Sequence, residues 1–142
     1  NFINRFAKPI LQFGDSSGWW QKFVGASETD IDLKKAGIFP IVHGVRALSL
    51  EYQITDTNTR SRLQQLAQQH VLSDTMAQNL AEALDFFMAK RLDVALTTQD
   101  RTARAVNPNH LSALEKDLLK ECLAMVKDFK TFITYHYRLD IF

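Results

Sequence analysis

Apolar residues recur along the chain at helical spacing, and no stretch alternates for long enough to make a half-buried strand. Phe2, Phe6 and Ile10 fall four residues apart, as they would on one side of a helix facing a core, with Pro9 bending it. The turn-forming run Gly14-Asp15-Ser16-Ser17-Gly18 then delivers Trp19, Trp20 and Phe23, which reads as a loop with one short helix. Pro40 suits the first turn of a helix, because the N–H it lacks would be unpaired there anyway. A helix is therefore predicted from about Pro40 to Tyr52, with Ile41, Val45, Leu48 and Tyr52 on its apolar face and His43, Arg46 and Glu51 elsewhere.

The polar run Thr55-Asp56-Thr57-Asn58-Thr59 offers N-caps to a helix carrying Leu63, Leu66 and Ala67 and ending near His70. Ser73 caps a longer helix reaching about Leu96. Met76, Leu80, Leu84, Phe87 and Arg91 form its stripe, widened by Phe86, Met88 and Leu92, while Gln78, Glu82, Asp85 and Lys90 lie on the polar side. From Thr97 to His110 the chain is polar, with Arg101, Arg104 and the breaker Asn107-Pro108-Asn109, and is longer than most bundle connections. Mobility is expected there. Ser112 and Glu115 have capping-box spacing, in which each side chain satisfies the other's free backbone donor. The last helix should run to Tyr137, roughly 40 Å, burying Leu118, Cys122, Met125, Phe129 and Phe132, with Leu119, Val126 and Ile133 alongside. The expected fold is all-α: four main helices in a bundle, with an N-terminal helical and loop elaboration, forming a single domain over residues 1–142.

Composition leaves this picture in place and narrows the function. Hydrophobic residues at 46% and charged residues at 23% belong to an ordinary globular chain. The net charge of +1 gives no strong field for nucleic acid, and no run approaches the roughly 20 apolar residues that span a bilayer, so neither is an expected partner. One cysteine, Cys122, excludes an internal disulfide and fits a reducing, cytoplasmic setting. The chain opens at Asn1 directly into an amphipathic stretch, which suggests a piece from the C-terminal part of a larger multidomain protein whose oligomeric state the sequence leaves open.

His43, His70, His110 and His136 are dispersed and lack a zinc-binding spacing, Cys122 lies on an apolar stripe, and no phosphate loop, dinucleotide fingerprint or nucleophile elbow is present. No catalytic or metal site is expected. The most informative run is Asp32-Leu33-Lys34-Lys35-Ala36-Gly37, which stands just ahead of the helix predicted at Pro40, whose free amides and positive dipole end favour an anion. Lys34 and Lys35 are candidate phosphate or acidic-surface contacts, Gly37 permits close backbone approach, and Arg46 extends the patch toward a shared concavity. Alternatively Asp32 and Lys34 make surface ion pairs and Gly37 only turns the chain. Asn58 and Thr59 read first as capping residues. Arg62 and Arg91 are suggestive because a charge beside an apolar stripe must find a partner, for Arg91 Asp32, Glu82, another carboxylate or a ligand phosphate.

The run from Asp32 to Leu48, the group Thr57-Asn58-Thr59 with Arg62-Leu63, and Arg91-Leu92 together resemble the helical C-terminal domain of bacterial nucleotidyltransferases of the cyclic-nucleotide-binding and CBS-domain signalling type. More distantly, the D-L-K-x-x-G pattern is similar to a segment of the adenylyltransferase and uridylyltransferase that modify glutamine synthetase and its regulatory protein. The likeness covers nearly the whole chain, with Ala36-Gly37 where a glycine pair is common and Asp93-Val94 where a polar pair often follows the arginine. It implies a noncatalytic domain that covers the cleft of an upstream nucleotidyltransferase domain and binds a nucleotide or protein substrate through Asp32, Lys34, Lys35, Gly37, Arg46, Asn58, Thr59, Arg62 and Arg91. It also implies that Mg²⁺ and a nucleoside triphosphate belong to the parent enzyme, not to this domain. The competing expectation is a structural or protein-interaction module relaying regulatory signals, with Trp19, Trp20 and the Phe2/Phe6 face at the interdomain contact.

Overall fold

The computed structural model describes residues 30–137. The readings at Phe2 to Ile10 and at Trp19 to Phe23 lie outside the described residues. Among the described residues four α-helices make up the architecture: α1 (Phe39–Glu51), α2 (Thr59–Gln68), α3 (Asp74–Thr98) and α4 (Ala113–Tyr137). The long pair α3 and α4 pack along each other, α2 lies on α3, and α1 lies on α2 and α4. The core between them contains Ile41, Val45, Leu48, Leu63, Leu66, Leu80, Phe87, Leu119, Leu123, Phe129 and Ile133, all essentially inaccessible to water.

The helix starts follow local chemistry. Asn58 Oδ1 accepts from the Ser61 amide at 3.0 Å and Ser73 Oγ from the Met76 amide at 3.0 Å, so each cap satisfies a donor left over at the start of α2 or α3. At α4 the box closes in both directions, Glu115 N–H donating to Ser112 Oγ at 3.1 Å and Ser112 N–H to Glu115 Oε1 at 3.2 Å. Gln99, in the left-handed conformation at φ 57°, stops α3.

Three features depart from the periodicity. Residues Lys34–Ile38 form a π-helical turn that runs straight into α1, closed by a hydrogen bond from Phe39 N–H to the Lys34 carbonyl. The lysines therefore do not precede a free helix N-terminus at Pro40, as expected; they are already inside the helical run. The connection between α3 and α4 is tied down too: Ala105–Val106 (β2) pairs antiparallel with Ile31–Asp32 (β1), and Leu33 N–H donates to the Arg104 carbonyl at 2.8 Å. Finally, the apolar faces of the long helices are rotated from their predicted centres. Met88 and Leu92 are 53% and 58% exposed and Leu118 is 47% exposed, whereas Leu123 and Lys130 join the buried face of α4.

Candidate functional site

The segment from Asp32 to Gly37 is fixed at both ends. At its start, Asp32 Oδ1 accepts from the amides of Lys34 at 3.0 Å and Lys35 at 3.1 Å, so the leading donors of the helical run are already taken by a carboxylate within the chain. Asp32 Oδ2 pairs with Arg104 Nε at 3.1 Å. At its end, Gly37 is buried against Phe87; a Cβ built there would lie 2.5 Å from two carbons of the Phe87 ring. Leu33 and Ala36 are buried between these points, which leaves Lys34 and Lys35 projecting into solvent. Such π turns recur at functional sites because the extra residue re-aims the side chains around it.

Two separate contacts bring neighbouring segments onto the middle of α3, on different faces of the helix. Arg60, beside Asn58 and Thr59 at the start of α2, is ion-paired with Asp85; Gly37 touches Phe87; Arg91 lies one turn further on. From Asp85 to Arg91 is about 9 Å along the helix axis. Neither contact involves Arg46. Lys35 and Arg46 are both exposed on one continuous helical run, and its rise separates them by about 16 Å. Grooves of about 510 Å³ between α2 and α3, and of about 480 Å³ beside the C-terminal half of α3, are lined by none of Lys34, Lys35, Arg46 and Arg91. Neither of these two grooves is therefore a concavity shared by Lys34, Lys35 and Arg46.

Asn58, Thr59 and Arg62 have structural employment. Asn58 caps α2, and Thr59 is the first residue of that helix. Arg62 Nε donates to the Asp56 carbonyl and so holds the linker between α1 and α2. Arg91 is half-buried, but the carboxylates expected for it are committed elsewhere: Asp32 to Arg104, and Glu82 accepts from Gln78 Nε2 at 3.0 Å. Among the described residues Arg91 has no ion pair, and neither do Lys34, Lys35 and Arg46. Arg104, the residue that ties the turn to the opposite strand, was visible in the sequence only as part of a polar connection. Its role depends on a contact across 72 positions, which no local pattern signals.

A second polar cluster closes the far end of the bundle, where the last turns of α1 and α4 meet. His136 Nε2 lies 2.8 Å from Glu51 Oε1, its ring stacks on Phe132 at 5.5 Å, and Tyr137 meets it edge-on at 4.7 Å. Burial, and then the Glu51 charge, push the Tyr137 hydroxyl above the ordinary tyrosine range; it makes no well-formed hydrogen bond although that carboxylate is near. Burial likewise pushes the Cys122 thiol up to about 11, with Glu121 and Glu82 adding to the shift, so it is a packed thiol and not a nucleophile. Among the described residues no three His, Cys, Asp or Glu side chains come together as metal ligands would, and no helix is long and apolar enough to cross a membrane.

These features define an all-helical domain that presents basic side chains on a braced turn and holds no constellation of reactive groups among its described residues. Residues 1–137 match the family described as putative nucleotidyltransferase substrate binding domain, and the chain belongs to that family. No match was found among curated proteins or solved structures.

Proposed function

We propose that this domain binds the substrate of a nucleotidyltransferase without performing the transfer, using Lys34 and Lys35, with Arg91 and Arg46, to receive a phosphate-bearing or acidic surface. The observation that carries the reading is the bracing of the lysine turn. Exposed lysines are common and cost entropy to immobilise, but a pair whose backbone is held by Asp32 on one side and by Phe87 on the other loses less on binding. The wide spacing of Lys35 and Arg46 favours an extended ligand, such as a nucleoside triphosphate or an acidic protein face, over a single phosphate.

The metal and the transferred nucleotide would be held by a nucleotidyltransferase region elsewhere in the parent protein. We place that parent in cytoplasmic signal transduction, with another protein as the acceptor and cyclic-nucleotide-binding and CBS domains upstream. Calorimetry of the chain with ATP at low salt tests the binding reading. Lys34→Ala with Lys35→Ala should weaken binding by about tenfold while leaving the thermal transition in place, and added salt should weaken the wild type further. Equal affinity in wild type and variant would remove the lysine turn from recognition.

A second reading, a protein-interaction module, is favoured by Met88, Leu92 and Leu96, which stand 53%, 58% and 68% exposed at successive turns of α3. It predicts docking to the upstream region that Leu92→Glu abolishes and the lysine substitutions leave intact.

A further inference from the structure

We infer that Arg104 is a positioning residue for the Lys34 and Lys35 turn, and that it acts through Asp32; its effect on ligand rests on the binding reading above. The two oxygens of the Asp32 carboxylate divide the work. Oδ1 accepts from the Lys34 and Lys35 amides at 3.0 and 3.1 Å, and Oδ2 meets Arg104 Nε at 3.1 Å. Because one planar group makes both sets of contacts, the guanidinium fixes the rotation that keeps Oδ1 facing the amides.

The backbone repeats the same connection. Asp32 is opposite Ala105 in the two-stranded pairing, and Leu33 N–H reaches the Arg104 carbonyl at 2.8 Å. The Arg104 side chain therefore starts from a backbone already locked to the segment that it braces. Electrostatics adds a second effect. An anion approaching the two ammonium groups would meet Asp32 as a bare negative charge if Arg104 were absent; with Arg104 in place it meets a neutral pair. Both partners are partly solvated, at 41% and 28% exposure, so the pair contributes little to global stability and its removal should act locally.

The experiment uses the 142-residue chain and two readouts. In calorimetry with ATP at low salt, Arg104→Ala should weaken binding by about fivefold, the upper range for a partly exposed pair, and Arg104→Lys should recover part of it. Combining Arg104→Ala with Asp32→Asn should do no more harm than the worse single change, since both act through one carboxylate. Wild-type affinity in Arg104→Ala, or losses that multiply in the double variant, overturns the inference. Amide hydrogen exchange decides the case without ligand. Arg104→Ala should speed exchange at Lys34 and Lys35 while the Leu123 and Val126 amides keep their protection. Unchanged protection at the two lysines, or a loss spread over α4, also overturns it. Failure of the wild-type chain to bind ATP counts against the nucleotide reading alone, and the exchange data then judge Arg104.

Discussion

Gly37 and Phe87 touch so closely that the turn bearing the lysine pair can approach α3 only because position 37 has no side chain. A Cβ there would sit 2.5 Å from Cδ2 and Cε2 of the ring and 2.7 Å from Cγ. Phe87 is fully buried, so its ring has nowhere to swing. Exchanging glycine for alanine within a helix ordinarily gains up to about 1 kcal/mol, but overpacking a tight core costs about 1–3 kcal/mol and should dominate here. Gly37→Ala is expected to lower the free energy of unfolding in urea, and to do so less when Phe87 is also shortened to Leu. Equal losses in both backgrounds would show that the contact is not the cause.

Glu115 serves two partners, which substitutions can separate. One oxygen closes the capping box with Ser112, and the other is ion-paired with Lys90, itself only 17% exposed. Glu115→Gln keeps a capping acceptor and removes the charge; Glu115→Ala removes both. Urea melts should show a loss of about 1 kcal/mol for the glutamine and about 2 kcal/mol for the alanine, with Ser112→Ala costing about 1 kcal/mol. If glutamine proved as costly as alanine, the box would contribute nothing.

Legibility in the sequence divides along the range of the interactions. Caps act within three residues, so Asn58, Ser73, Ser112 and Glu115 marked the helix starts, and the predicted Pro40 to Tyr52 helix falls one residue from the observed one. The π turn escaped because the extra residue breaks the 3.6 period and because a buried glycine looks, in sequence, like a turn former. A two-residue strand is too short to alternate, so the pairing of Asp32 with Ala105 left no trace. The face of α4 was misjudged for a different reason. Lys130 is buried while Leu118 is exposed, and hydropathy ranks them the opposite way. Of the candidate site, residue type and spacing singled out Lys34 and Lys35, but the bracing of their turn by Asp32 and Phe87 and the diversion of Arg62 to a backbone carbonyl are facts of three-dimensional placement.

The open stripe on α3 gives a prediction in which stability and association part company. Since Met88, Leu92 and Leu96 are 53%, 58% and 68% exposed, replacing Leu92 by Glu should shift the folding free energy by less than about 0.5 kcal/mol. A loss of several kcal/mol in a urea melt would mean that the side chain is covered in solution. Should stability hold, sedimentation of the variant with the upstream region of its parent protein reads out whether the stripe is a contact surface.

Cys122 provides a probe of global unfolding. It is 3% exposed and its thiol is pushed from 9.0 up to about 11, so at pH 8 the folded chain presents almost no thiolate and no path for a reagent to reach it. A disulfide reagent should label it only through unfolding, at a rate that rises with urea in parallel with loss of helical signal. The sign of the pH effect follows from the direction of the shift. Folding favours the neutral thiol, so this contribution is fully present below pH 9 and is lost as pH climbs toward 11, worth roughly 2–3 kcal/mol at the end of that window. Tyr137, raised for the same reason, should add to the loss from its ordinary value of 10.0 upward. Replacing Cys122 by Ala should flatten the alkaline limb between pH 9 and 11, and an unchanged slope there would show that burial of this thiol is not what the fold loses first.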